Sequence, residues 1–195
     1  LTQDEVVALK RKQRQLTGIY QTDDLRLWWG NLDLAWREIF NSHLLCNSNP
    51  TAEQLQSIVD IEEISVDPNN VVYSLEPLQQ MSFLKKLIIN NNQIQDLTPL
   101  NDKELLEVLS VSGNPVDDID PLSNLLLLKN LNIENTPVSD LTPIENLNNI
   151  KILNIGGTSV RSLKPLANFS LLEDLSIVNT FIKSVVTLEN LPSLK

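Results

Sequence analysis

The chain has 195 residues, 42% of them apolar, with a formal net charge of -10, one cysteine and one histidine. A single cysteine closes no intramolecular disulfide, and one Cys with one His falls short of a structural zinc ligand set, so disulfide scaffolds and zinc modules are excluded. No uncharged apolar run approaches the roughly 18 residues a membrane-spanning helix needs, and the apolar content is far from that of a disordered chain.

The first fifty residues read as helical. Thr2 to Glu5 has the form of a capping box ahead of Val6, Leu9 and Leu16. A second helical stretch carries Leu25, Trp28, Trp29, Leu32, Trp36, Ile39 and Phe40, and so holds all three tryptophans, which we read as core. Residues 1–48 are expected to form a helical cap over the open end of a repeat array, because an uncovered parallel edge exposes backbone and apolar columns. Asn49-Pro50-Thr51 is a strong helix start, with Leu55 and Ile58 facing inward.

From residue 49 to 195 the chain repeats. A 22-residue period aligns Leu84, Leu106, Leu128, Ile150, Leu172 and Leu194 in one column, and Leu87, Leu109, Leu131, Leu153 and Leu175 in the next. Ile89, Val111, Ile133, Ile155 and Ile177 stand two residues on, then Asn92, Asn114, Thr136, Thr158 and Thr180. An earlier copy leads with Ile61, Ile64 and Val66 and carries one inserted residue, giving six strand-bearing units. Alternation around Leu87 and Ile89 predicts a short strand, and strands of successive units pair in parallel over a shared core. Each Leu or Ile buried there contributes roughly 1.5–3 kcal/mol before entropy. The Asn/Thr column is placed to satisfy buried backbone groups, while prolines at 77, 99, 121, 143 and 165 suit the first turn of a short helical segment on the convex side. That pattern lapses in the last unit, which reads SVVTL.

The template L-x-x-L-x-L-x-x-N-x-I-x-x-L-x-P-L, with DLTPL, DLTPI and SLKPL, resembles the leucine-rich repeat, in the short 22-residue class of bacterial internalins and a phosphatase-binding nuclear repeat protein. The resemblance implies an α/β fold: a curved right-handed solenoid with a parallel concave β-sheet and an N-terminal helical cap. It implies binding of another protein or a glycan through the concave strands. It leaves open an intracellular subunit positioning an enzyme such as a phosphatase, or an architectural module docking end to end. The chain opens on Leu1, so its lack of a leader says nothing about export, and it stops at Leu194-Lys195 where a further strand should open; we expect continuation or a cover there. A bacterial envelope or secreted location is favoured.

Charge narrows the partner. Residues 1–50 hold six basic and six acidic residues, whereas 51–195 hold nine and nineteen. An acidic repeat array disfavours nucleic acid, whose backbone needs Lys and Arg clusters. The basic cluster Lys10, Arg11, Lys12 and Arg14 reads as a solvated helix face. Asp117, Asp118 and Asp120 have the chemistry of a calcium site, yet Asp96 and Asp140 occupy the same turn in sister units, where Asp caps a helical segment. His43 and Cys46 lack a third ligand or acid. With no GxSxG, HExxH or phosphate loop, we expect no enzyme activity, metal or cofactor.

The predicted binding residues face away from the core: Lys86, Ile88 and Asn90; Val108 and Ser110; Asn130, Asn132 and Glu134; Ile152 and Asn154; Asp174 and Ser176, flanked by Glu63, Ser65, Asp67, Ser112, Gly156 and Val178. This face is small, polar and free of Trp, Tyr, Phe and Arg, the usual hot-spot anchors, and so departs from aromatic-bearing internalin faces.

Overall fold

The computed structural model describes residues 5, 8, 9, 22–44, 49–66 and 70–195. The expectations placed on Thr2, Val6, Leu16, the 10–14 basic cluster, Cys46 and Asp67 lie outside the described residues.

The tryptophan-rich stretch is two helices rather than one: α1 (Thr22–Asn31) and α2 (Leu34–Leu44). Gly30 and Asn31, weak helix formers, end the first. Asp33 then starts the second, its Oδ1 accepting from the Trp36 amide at 2.9 Å in the manner of an N-cap. Trp36 and Phe40 are fully buried and stack at 5.3 Å, while Trp29 is 6% exposed and Trp28 half-buried. The indoles also tie this region to the repeats: Trp36 Nε1 donates to the Ser74 carbonyl at 2.8 Å and Trp28 Nε1 to the Pro77 carbonyl at 3.2 Å. Helix α3 (Ala52–Val59) opens on a complete capping box between Thr51 and Gln54 and buries Leu55, Ile58 and Val59 against the first unit.

Six three-residue strands come next: β1 (Glu63–Ser65), β2 (Lys86–Ile88), β3 (Val108–Ser110), β4 (Asn130–Asn132), β5 (Ile152–Asn154) and β6 (Asp174–Ser176). They form one open sheet in sequence order, every pair parallel. The first register, Glu63 to Lys86, spans the inserted residue; all later ones keep the 22-residue period. Central strand residues Ile64, Leu87, Leu109, Leu131 and Leu153 are buried, whereas their neighbours on either side face outward. Each unit returns through a one-turn 3-10 helix such as Thr98–Leu100 or Asp120–Leu122, with Pro in its first turn. The last unit forms its 3-10 segment, Val186–Asn190, without proline, and buries none of it.

The Asn members of the Asn/Thr column bond a neighbouring unit as expected, whereas the Thr members, expected to do the same with a hydroxyl, stay within their own unit. Asn114 Oδ1 accepts from the Ile94 amide of the preceding unit at 3.0 Å, while its Nδ2 donates to the carbonyls of Ile89 and Val111. Asn92 likewise accepts from Val72. Thr136, Thr158 and Thr180 only donate back to the carbonyl three residues earlier in their own unit. Asp96, Asp118 and Asp140 each accept the amide two residues on, which is the capping role expected of this turn. Asp96 and Asp140 are held below the usual carboxylate range by those bonds: Asp96 by the Thr98 hydroxyl and then its amide, Asp140 by the Thr142 amide and then its hydroxyl.

Two features escaped the sequence reading. One column alternates Asn91, Gly113, Asn135, Gly157 and Asn179, all with φ between 55° and 68°. A Cβ on Gly113 would lie 2.4 Å from Asn91 Oδ1, and one on Gly157 2.2 Å from Asn135 Oδ1, so each Asn side chain fills the room its glycine neighbour leaves. The other is Lys103, fully buried in the apolar column of Met81, Leu125, Leu147 and Phe169. Its Nζ, buried with the rest of the side chain, donates to Asp102 Oδ1 at 2.6 Å and the Gln79 carbonyl at 3.2 Å, the long stem serving as an aliphatic filler.

Candidate recognition surface

On the side of the sheet opposite the core, strand alternation lays out two rows. One runs Glu63, Lys86, Val108, Asn130, Ile152, Asp174; the other runs Ser65, Ile88, Ser110, Asn132, Asn154, Ser176. Every predicted binding residue in the strands falls in these rows, and Asn90 and Glu134 continue just beyond them. Ile152 is 44% exposed, and Ile88 and Val108 are half-buried between polar neighbours.

Ser110 departs from expectation. It is only 8% exposed, because its hydroxyl donates at 2.7 Å to Asn90 Oδ1, which also accepts from the Ser112 amide. Asn132 and Asn154 are similarly occupied on their acceptor side: Oδ1 of each takes the amide two residues on, of Glu134 and Gly156, at 3.0 Å. Asn154 Nδ2 then reaches Glu134 Oε2 at 3.2 Å. The Nδ2 groups of Asn90 and Asn132 have no acceptor among the described residues, so each offers the face an open amide donor.

Ionic groups line one margin. Just before the strands, Lys85 pairs with Glu62 at 2.9 Å, Lys129 with Glu107, and Lys151 with Glu173 at 3.4 Å, each bridging adjacent units. Lys86 and Glu63 pair at 3.2 Å within the sheet face. These exposed pairs leave the central face nearly neutral and contribute about 0–1 kcal/mol each.

The sequence reading missed the aromatic group at the far end. Phe181 is 54% exposed, with the Arg161 guanidinium 4.8 Å from its ring centroid, beside exposed Val178, Val185 and Val186. Its signal was present: Phe181 occupies the position of Pro115, Pro137 and Ser159.

Among solved structures, an internalin (inlF) of Listeria monocytogenes superposes with a TM-score of 0.75 at 28% identity, over 83% of this chain and 48% of that one. The fold is a leucine-rich-repeat solenoid. The chain thus spans about half the length of that internalin. An internalin C2 of the same species gives a TM-score of 0.60 at 24% identity over 83% of this chain and 91% of that one. A leucine-rich-repeat protein of Leptospira interrogans gives 0.65 at 19% over 73% and 38%. No family model and no curated protein matches the chain by sequence. No helix among the described residues is long and apolar enough to cross a membrane.

Proposed function

We propose that this solenoid is a non-catalytic recognition module of a bacterial envelope or secreted protein, and that it binds a protein partner through the outer face of its sheet. The observation that supports this most is the pairing of open amide donors at Asn90 and Asn132 with the exposed apolar side chain of Ile152 on a rigid parallel framework. Such a face meets a partner's backbone carbonyls and a small apolar side chain at once. Charged substitutions at Asn132 or Asn154 are poor tests, since each Oδ1 holds a backbone amide. Ile152 is free of that duty. A photo-crosslinking side chain at position 152 should capture a discrete protein from a surface extract that one at Thr142, on the opposite 3-10 turn, does not, and Ile152→Glu should abolish capture by a probe at Asp174 without shifting the melting temperature. Capture from position 142 alone, or from neither, refutes the reading.

A further inference from the structure

Away from the sheet, α1, α2 and the entry to α3 border a half-open cavity of about 280 Å³. Its walls include Arg26, Trp29, Arg37, Pro50 and Leu55, and no Asp or Glu among the described residues lines it. In a chain of net charge -10, a pocket with two guanidinium groups and no carboxylate among its described lining residues is a local reversal of sign.

The donors in its walls are under-used. The indole Nε1–H of Trp29, a residue 94% buried by its 6% exposure, has no acceptor among the described residues, and neither has the buried Nε–H of Arg37. Arg37 donates once, from Nη2 to the Gly30 carbonyl at 2.7 Å, which caps the end of α1. That structural duty accounts for one of its five N–H groups and for nothing at Arg26 or Trp29. Among the described residues, the one acid paired with either guanidinium is Asp23, 4.0 Å from Arg26 and almost wholly in solvent. Buried donors without acceptors are strongly disfavoured, and Arg pairs with planar or tetrahedral oxyanions through several N–H groups at once.

We propose that this cavity is a binding site for a small ligand bearing one oxyanion group, a phosphate or a carboxylate, held by Arg26 and Arg37, with the buried indole N–H of Trp29 turning to it as third donor. Pro50 and Leu55 supply the apolar wall against which the rest of a metabolite-sized molecule packs. Bound there, the ligand bridges α1, α2 and the start of α3, and so stiffens the cap on the repeats.

The test is titration of the full chain with inorganic phosphate and, separately, sodium acetate, at ionic strength held constant with chloride. Readouts are tryptophan fluorescence and the melting temperature. One anion should give a saturable fluorescence change and, at ten times its dissociation constant, a rise of about 3–5 °C. The more effective anion identifies the ligand group. Trp29→Phe keeps an aromatic ring and removes the N–H, and should reduce the anion-dependent rise in melting temperature. Arg26→Gln, at an exposed position that leaves the fold intact, should weaken binding by about tenfold. Absence of saturation by either anion, or binding undiminished in both variants, overturns the proposal.

Discussion

Replacing Gly113 by Ala should destabilise the array by two separable mechanisms. Its φ of +68° lies where an L-residue suffers a clash of Cβ with the backbone, at about 1–2 kcal/mol. Its new Cβ would also stand 2.4 Å from Asn91 Oδ1 and 3.3 Å from Asn91 Cγ, forcing that exposed side chain off its rotamer at about 0.5–1.5 kcal/mol. Together these give about 2–3 kcal/mol, or a fall in melting temperature of roughly 4–10 °C for a chain of this size, followed by far-ultraviolet circular dichroism. The double variant Asn91→Gly with Gly113→Ala separates the two. Removing the Asn91 side chain should return about 1 kcal/mol and leave the backbone strain in place, so the two substitutions should be non-additive. Gly30→Ala is the internal control: no atom lies within 4 Å of its added Cβ and its φ is ordinary, so it should cost nothing. A Gly113→Ala loss below about 0.5 kcal/mol, or strict additivity with Asn91→Gly, would refute the account of this column.

Asn114→Ala should cost about 3 kcal/mol in chemical denaturation, since it orphans the buried Ile94 amide and two carbonyls, whereas Thr136→Val should cost about 1 kcal/mol for one hydroxyl bond. Equal losses would show that the inter-unit bond is not what matters. Lys103→Met should leave stability unchanged or raise it by about 1 kcal/mol, because it restores the apolar column and removes an ammonium whose stem is wholly buried; a loss above that size would assign Lys103 a net stabilising role. Because Asp140 is held below its ordinary value in the folded state, its contribution is complete above the unfolded carboxylate value near 3.9 and is lost as pH falls through the folded one. The stability gap between the parent and Asp140→Asn should therefore be present at pH 7 and close in strong acid; a gap unchanged by acid would contradict the Thr142 bonds as its cause.

Periodicity accounts for most of the structure that was legible in the sequence. A side chain repeated every 22 residues meets its own kind in the next unit, so Leu87, Leu109 and Leu131 announce both the strand and its register without reference to tertiary detail. The faces of the sheet came from alternation alone. Residues that break a column were harder to read. Lys103 was invisible because charge argues for exposure, and only the geometry shows the stem buried with its tip at Asp102. Ser110 was placed on the right face but with the wrong exposure, since burial there comes from Asn90 in the unit before, a partner twenty residues away. The helix break at Leu32 and Asp33 was masked by continuous apolar spacing across Gly30, and the oxyanion cavity draws its residues from three helices with no shared motif.

The alternation of Asn91, Gly113, Asn135 and Gly157 interleaves with the bridging ion pairs. Joints between the first and second, third and fourth, and fifth and sixth units carry Lys85–Glu62, Lys129–Glu107 and Lys151–Glu173; the intervening joints carry an Asn leaning on a Gly. The array is thus phased in twos. Excising the third unit alone would set Asn91 against Asn135, like beside like, while excising the third and fourth together would set Asn91 against Gly157 and restore that joint. Deleting two repeats therefore keeps an Asn–Gly seam that deleting one breaks.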